Sequence, residues 1–502
     1  VSYEALTSRL REIGTLHSVQ RLLGWDQEVM MPPAAARFRG EEIALLASLV
    51  HEKATDPALG DLIEVAEDEL RTQEDELRSA NLREIRRDYE KARKLPRELV
   101  AELSLAGSEG LEAWREARKS NDFPGFLPFL ERLLDLSRRK AEHLAPSSDA
   151  DLYDALLDEY EPGMTGGRVE TLFRPLREAL VPLIARLADS EHPPPNTVHE
   201  LRIPVPEQVR FSRRVAGRLG YDFQAGRLDT STHPFTEGLG PGDTRITSRY
   251  QDHHFADALG STMHEAGHAL YEQGLPKEEY PGQPLSEAAG LGIHESQSRM
   301  WENQVGRSRE FWVWALPVAV EILGEALAPF TVDEIYRAMN RVEPSLIRVE
   351  ADEATYNLHI MLRFDLERAL IAGDLLPADL PAAWNERMRS DLGVDPPDDA
   401  RGCLQDIHWS MGAFGYFPTY TLGNLYAAQI WETILQDLPD LPSEMSRGEF
   451  GGLLAWLREK IHRHGRRWPA AELCRKVTGR PLDFEPLVKY LEGKLAPIYG
   501  VK

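Results

Sequence analysis

The chain has 502 residues, of which 42% are hydrophobic and 28% charged, and its formal net charge at pH 7 is −24. This is the balance of a globular protein with enough chain for one or several cores, and it excludes a disordered or membrane-embedded one. So acidic a chain repels nucleic acid and anionic lipid, and no basic stripe with interleaved aromatics offsets the field. The acidity serves solubility, or draws cationic ligands toward an acidic cleft.

Residues Val1 to Gly24 alternate charged and apolar side chains at helical spacing, without the uninterrupted apolar core of a signal peptide. Met31-Pro32-Pro33 breaks the pattern. From Leu62 to Lys94 the sequence is charged and free of breakers, with Leu70, Leu77, Leu82 and Ile85 as a sparse apolar stripe. It reads as one or two long surface helices with a solvated face. Further breaks fall at Pro146 to Ser148 and Pro193-Pro194-Pro195. The polar stretch from Asp222 to Asp243 reads as a loop, most clearly from Thr236 onward. Thr244 to Tyr250 alternates β-branched residues with arginines and is the best strand candidate. No break is long enough for a flexible linker, so residues 1–502 read as one unit. No internal repeat or low-complexity tract appears. Cys403 and Cys474 exclude a disulfide framework and a CxxC-type metal site. No run approaches the ~20 apolar residues of a membrane span. A cytoplasmic address is the default expectation.

Residues His264-Glu-Ala-Gly-His268 carry the first chemistry. On a helix, residues four apart lie one turn above each other, with Cβ atoms roughly 5–6 Å apart, so both imidazoles can reach one tetrahedral zinc. Glu265 then lies beside the metal, placed to take a proton from water. Asp252 suits the N-cap of such a helix, Gly274 the C′ position, and Pro276 follows. Leu259, Met263, Ala266 and Leu270 cluster on one face, and both histidines lie away from it. A five-residue motif arises by chance too readily to stand alone; it needs a third ligand. The extended HExxHxxGxxH form fails, because Tyr271 and Gly274 occupy its last two landmarks. A glutamate from a following helix is the alternative. The segment Leu291 to Asn303 is breaker-free after Gly292 and places Glu295 there, with Glu287 and Glu302 as rivals that spacing does not exclude.

Five segments then carry a resemblance. They are Asp243-Thr-Arg-Ile-Thr247, His264-Glu-Ala-Gly-His268, His294-Glu-Ser-Gln297, Ile347-Arg-Val-Glu-Ala-Asp352 and Gly402-Cys-Leu-Gln-Asp-Ile-His-Trp409. Together with Trp25-Asp-Gln-Glu-Val-Met-Met-Pro32, the sequence resembles the thermostable carboxypeptidase Taq family of zinc metallocarboxypeptidases over most of its length. The resemblance implies Glu295 as third ligand to Zn2+, for which Co2+ is a substitute. It implies release of single C-terminal amino acids from peptides with a free C-terminus, with broad tolerance and poor action on proline. It also implies a homodimer and a mainly α fold. That fold is a large helical metallopeptidase with two halves flanking a deep groove, similar to angiotensin-converting enzyme and neurolysin, with a small β-sheet near the metal helix.

A carboxypeptidase must grip a free carboxylate, which arginine does through its bidentate fork. Arg348 and Arg245 are the candidates. The plain alternative for Arg348 is a surface pair with Asp352; for Arg245, a salt bridge with Asp243. Arg245 sits on the expected strand, where a substrate backbone could add as a further strand. Peptide hydrolysis also develops an oxyanion, which needs donors. His408 and Tyr420 suit that role, with Tyr416 as a rival, and Pro418 argues against a regular helix over Gly415 to Tyr420. Glu265-Ala-Gly-His268 also fits half of a helical di-iron site. Its only possible second half, Glu459-Lys-Ile-His462, points Glu459 away from the apolar face of Phe450, Leu453, Leu454, Leu457 and Ile461. An inactive peptide-binding protein would be expected to lack Glu265, which is present. The remaining rival is a cytosolic metallo-endo-oligopeptidase on a similar fold.

Overall fold

The charged–apolar alternation at the N-terminus becomes one helix, Ser2–Val29, in a computed structural model that describes residues 2–71 and 74–501. Met31-Pro32-Pro33 ends it, because neither proline can donate to a continuing helix, and a new helix runs over Ala36–Ala54. The next, Pro57–Leu70, starts where Asp56 accepts from the Ala58 N–H at 2.9 Å and Pro57 supplies a preset φ. The charged stretch continues as Glu76–Lys94. It is not solvated on every side: Leu82 and Ile85 are buried with Leu6, Leu59, Ile63 and Tyr89, and Leu70 packs against them. Leu77, by contrast, is 38% exposed.

The described chain divides into two compact units. One comprises Val1–Arg93, Pro195–Met339 and Ile430–Pro481; the other Lys94–Pro194, Asn340–Gln429 and Leu482–Lys502. Each is discontinuous in sequence, so no single break could mark its boundary. Among the described residues, no helix is long and apolar enough to cross a membrane.

The first unit holds a three-stranded sheet in the order β1-β3-β2, with β1 at Gly226–Thr230, β2 at Thr236–Gly240 and β3 at Asp243–Ser248. β1 pairs with β3 in parallel and β2 pairs with it antiparallel. The stretch expected to be a loop therefore contains two strands. Glycine-rich β2 has no pattern of its own, and its backbone partners come from β3. Gly238 leaves space there for a side chain of the first unit: a Cβ would stand 2.0 Å from Glu272 Oε2, which would have to move.

In the second unit, helix Phe123–Leu144 is capped by Asp122, and its Leu130, Leu133 and Leu134 are wholly buried. The helix Tyr356–Ala372 is buried on nearly every face, its polar Asn357, Arg363 and Glu367 included. Buried polar groups are as a rule partnered, and the partners of Arg363 and Glu367 include Gln405, Asp406 and Trp409 of the segment Gly402 to Trp409.

Candidate active site

The helix carrying the two histidines spans Phe255–Glu272. His254 is its N-cap, two residues after the expected Asp252, whose carbonyl is engaged by the Ile203 N–H at 2.6 Å. Gly274 stands just past the end as expected, for a packing reason: a Cβ would lie 2.4 Å from His462 Nδ1. Leu259, Met263, Ala266 and Leu270 are buried, and the rings of His264 and His268 stand 4.9 Å apart.

Glu295 lies on the next helix, Leu291–Arg299, which runs into a π-helical turn over Met300–Val305. Its Oε2 is 3.6 Å from His264 Nε2 and 3.4 Å from His268 Nε2. One ligand atom from each of the three residues falls within 4.8 Å of the others, and this is the only such group found among the described residues. Two imidazole nitrogens and one carboxylate oxygen are the donor set of an open, catalytic zinc site. The chemistry of the donors fits a divalent ion. Glu302 lies behind the cluster, 2.9 Å from His264 Nδ1, and Glu287 is in an ion pair with Arg466.

Protonation favours ligation by two of these groups. Burial depresses the His268 imidazole to about 3, keeping it neutral. Burial alone would raise Glu295, but Arg299, 2.7 Å from Oε1, and the imidazoles hold it below the usual carboxylate range. For His264 burial opposes charge, yet Glu295 and Glu302 raise it; a bound cation would take the proton's place. Glu265 is buried and pushed upward by that burial, against His264 and a hydrogen bond from Thr236. Thr236 Oγ1 lies 2.7 Å from Glu265 Oε2. Sequence reading missed Thr236, because it opens a strand taken for loop.

Gly267 was also missed. A Cβ there would stand 2.7 Å from both the Gln297 carbonyl oxygen and Ser298 Cα. Backbone cannot swing aside as a side chain can, so the Glu295 helix comes this close to the helix of the two histidines because residue 267 is glycine. Alanine gains ~1 kcal/mol of helix propensity, but overpacking of this kind costs about 1–3 kcal/mol. Gly267→Ala is therefore expected to be net destabilising in a denaturant melt of metal-free protein, and to bind metal more weakly. A variant as stable as the parent would show that the helices can part freely.

Arg245 lies on β3 and forms both its ion-pair bonds to Asp243, at 2.9 and 2.8 Å, with its guanidinium 4.3 Å from the Trp25 ring centroid. β3 is the central strand, flanked on both sides, so no substrate backbone can add to it. That expectation is corrected.

The second unit brings Arg348, His408, Tyr416 and Tyr420 together. Arg348 is buried and does not pair with Asp352. Its Nε and Nη2 each lie 2.9 Å from Asp406 Oδ1, and Nη1 donates to the Tyr356 hydroxyl at 3.0 Å. Asp352 instead accepts from the backbone N–H groups of Glu343, Ala354 and Thr355. Arg363 takes the other oxygen of Asp406. Burial opposes charge on all three, yet the pairing holds Asp406 ionised and Arg348 protonated. This buried trio carries one positive charge in excess.

His408 Nε2 is 3.2 Å from the Tyr420 hydroxyl, and Tyr416 packs 5.2 Å from the His408 ring. Burial, then Arg348, lowers His408 to about 3, so it is neutral. Tyr420 lies in the first turn of a helix, Pro418–Asp437: Pro418 opens that helix, where its missing N–H costs nothing. Glu367 accepts from Trp409 Nε1, Tyr153 Oη and the Gly415 N–H, tying down both ends of the segment between His408 and Tyr416. In the first unit, Glu459 is exposed beside Lys460 while buried His462 meets Gln297, so they make no second metal-binding half.

The model of the carboxypeptidase Taq (M32) metallopeptidases matches residues 5–495. A thermostable carboxypeptidase 1 of Thermus thermophilus is 46% identical over 99% of both chains. Carboxypeptidase 1 of Bacillus subtilis is 36% identical over 98% of this chain and 97% of its own. Among solved structures, an M32 carboxypeptidase from Deinococcus radiodurans superposes with a TM-score of 0.96 at 41% identity, covering all of both chains.

Proposed function

The chain belongs to the carboxypeptidase Taq (M32) metallopeptidases, and from that premise we propose how this metallocarboxypeptidase uses its own residues on peptides. The family implies a divalent metal; His264, His268 and Glu295 are the residues that would hold it, with zinc as the resident ion and cobalt as a substitute. When bound, such an ion acidifies water and polarises the scissile carbonyl. Glu265 takes the proton from the attacking water and delivers it to the leaving amine. The observation that carries this reading is the three-donor cluster with buried Glu265 beside it and outside the donor set.

In the second unit, His408 donates through Nε2–H to the Tyr420 hydroxyl, leaving the Tyr420 proton free to stabilise an oxyanion. Tyr416 packs beside this pair as a substrate contact. The excess positive charge of Arg348, Asp406 and Arg363 supports Arg348 as the group that attracts the substrate's terminal carboxylate. Release of single C-terminal residues, broad tolerance and disfavoured proline complete the reading. The unbroken family match supports one catalytic domain over the chain. A homodimer and a cytoplasmic address belong to the same reading.

The test is mass spectrometry of the products from a free-acid peptide and its C-terminal amide. Charged hydrogen bonds to a carboxylate contribute roughly 1.5–3 kcal/mol, and each ~1.4 kcal/mol is tenfold. Arg348→Ala should therefore lose ~10–100-fold in kcat/KM on the acid while hardly changing the poor rate on the amide. Arg348→Lys should rescue only in part, because an ammonium keeps the charge but not the fork that holds Asp406 and Tyr356. Equal cleavage of acid and amide by the parent enzyme would favour an endo-oligopeptidase.

A further inference from the structure

The outer nitrogens of the two histidines meet different partners. His264 Nδ1 meets a carboxylate directly, Glu302 Oε2 at 2.9 Å. His268 Nδ1 meets a second imidazole, His294 Nδ1 at 2.5 Å. His294 Nε2 in turn lies 2.8 Å from Glu272 Oε1, and the Lys277 ammonium holds the other oxygen of Glu272. The Tyr271 ring flanks His294 edge-on, its centroid 5.2 Å away.

The protons along this row follow from one requirement. An imidazole that offers Nε2 to a metal carries its proton on Nδ1. His268 therefore donates from Nδ1, and His294 must receive that bond on the lone pair of its own Nδ1. The His294 proton is then on Nε2, where it is donated to Glu272. As a carboxylate, Glu272 only accepts, so it selects the tautomer of His294 and through it that of His268. Space for the carboxylate comes from β2: a Cβ on Gly238 would stand 2.0 Å from Glu272 Oε2 and 2.7 Å from Lys277 Nζ.

We infer that Glu272 and His294 form a relay that orients His268 toward the metal, with Gly238 leaving room for the carboxylate, resting on the reading of His268 as a ligand. They are positioning residues and touch no substrate. The relay also makes the two histidines unequal. His264 is backed directly by a carboxylate, His268 by a second imidazole that a carboxylate holds in turn.

Zinc affinity of the full chain, measured by competition with a chromophoric chelator, reads the relay without an activity assay. Partners of this kind typically contribute 10–100-fold to metal affinity. His294→Leu and Glu272→Leu should each bind zinc ~10–100-fold more weakly. His294→Gln should retain most of the affinity, since its amide oxygen can accept from His268 while its amide nitrogen donates to Glu272. Gly238→Ala should weaken binding too, by displacing the carboxylate while every hydrogen-bonding group remains. Overpacking at Gly238 and an unpaired Lys277 lower the metal-free melting temperature on their own account, so the readout is the rise on adding zinc, which should be smaller in each weakened variant than in the parent. Parent-like affinity in His294→Leu overturns the relay, as does a loss of metal-free melting temperature with an unchanged zinc increment. His268→Ala separates the underlying reading: it should abolish binding, and parent-like affinity there overturns the ligand assignment itself.

Discussion

Glu265→Gln is expected to hold one zinc per chain and to lose at least ~10²-fold in kcat, the lower end of what a general base contributes. Glu265 sits between the two histidines in sequence, yet the three-donor cluster forms without it. Its Oε2 is steadied by Thr236 Oγ1, and burial keeps it out of bulk water. Glutamine preserves this arrangement, because its carbonyl oxygen can still accept from Thr236. What it loses is the capacity to take a proton. The effect should therefore fall on kcat, with metal content and melting temperature close to those of the parent. Elemental analysis and steady-state kinetics on one preparation check it. Loss of zinc from the variant would make Glu265 a ligand and the assignment of a base wrong.

Metal removal should abolish activity outright, and zinc or cobalt should restore it. Without a cation, buried Glu295 and partly buried Glu302 stand around the histidines, balanced by Arg299, Arg307 and whatever protons His264 can take up. A bound ion takes the place of those protons, held by the three donor atoms. Anything that binds only the folded chain also stabilises it, by about 2.7 kcal/mol at a hundred times its Kd. Chelation should thus lower the melting temperature together with activity, and metal titration should return both along one curve. Full activity in a sample verified as metal-free would end the proposal for His264, His268 and Glu295 together.

What the sequence determined by itself is local. Two histidines four residues apart on an apolar-periodic stretch share a helix face by backbone geometry alone, and the glutamate between them follows. Pro32 and Pro33, side by side, remove two successive backbone donors, which the preceding helix cannot continue through. Matters were otherwise for contacts between segments. Glu295, Glu287 and Glu302 are equally glutamates in the sequence; the crossing at Gly267 decides which one faces the two Nε2 atoms and which backs His264. Strands β1 and β2 have no alternating pattern to announce them, since their order comes from pairing with β3. Arg348 has Asp352 four residues away, but its chain leaves helical geometry at Ala351, so helix spacing does not apply and the buried Asp406 takes the guanidinium. Thr236, His294 and Glu272 acquire their partners only on folding. Spacing along a helix is covalent geometry and can be read from a chain, whereas a hydrogen bond between segments depends on where tertiary packing sets each backbone.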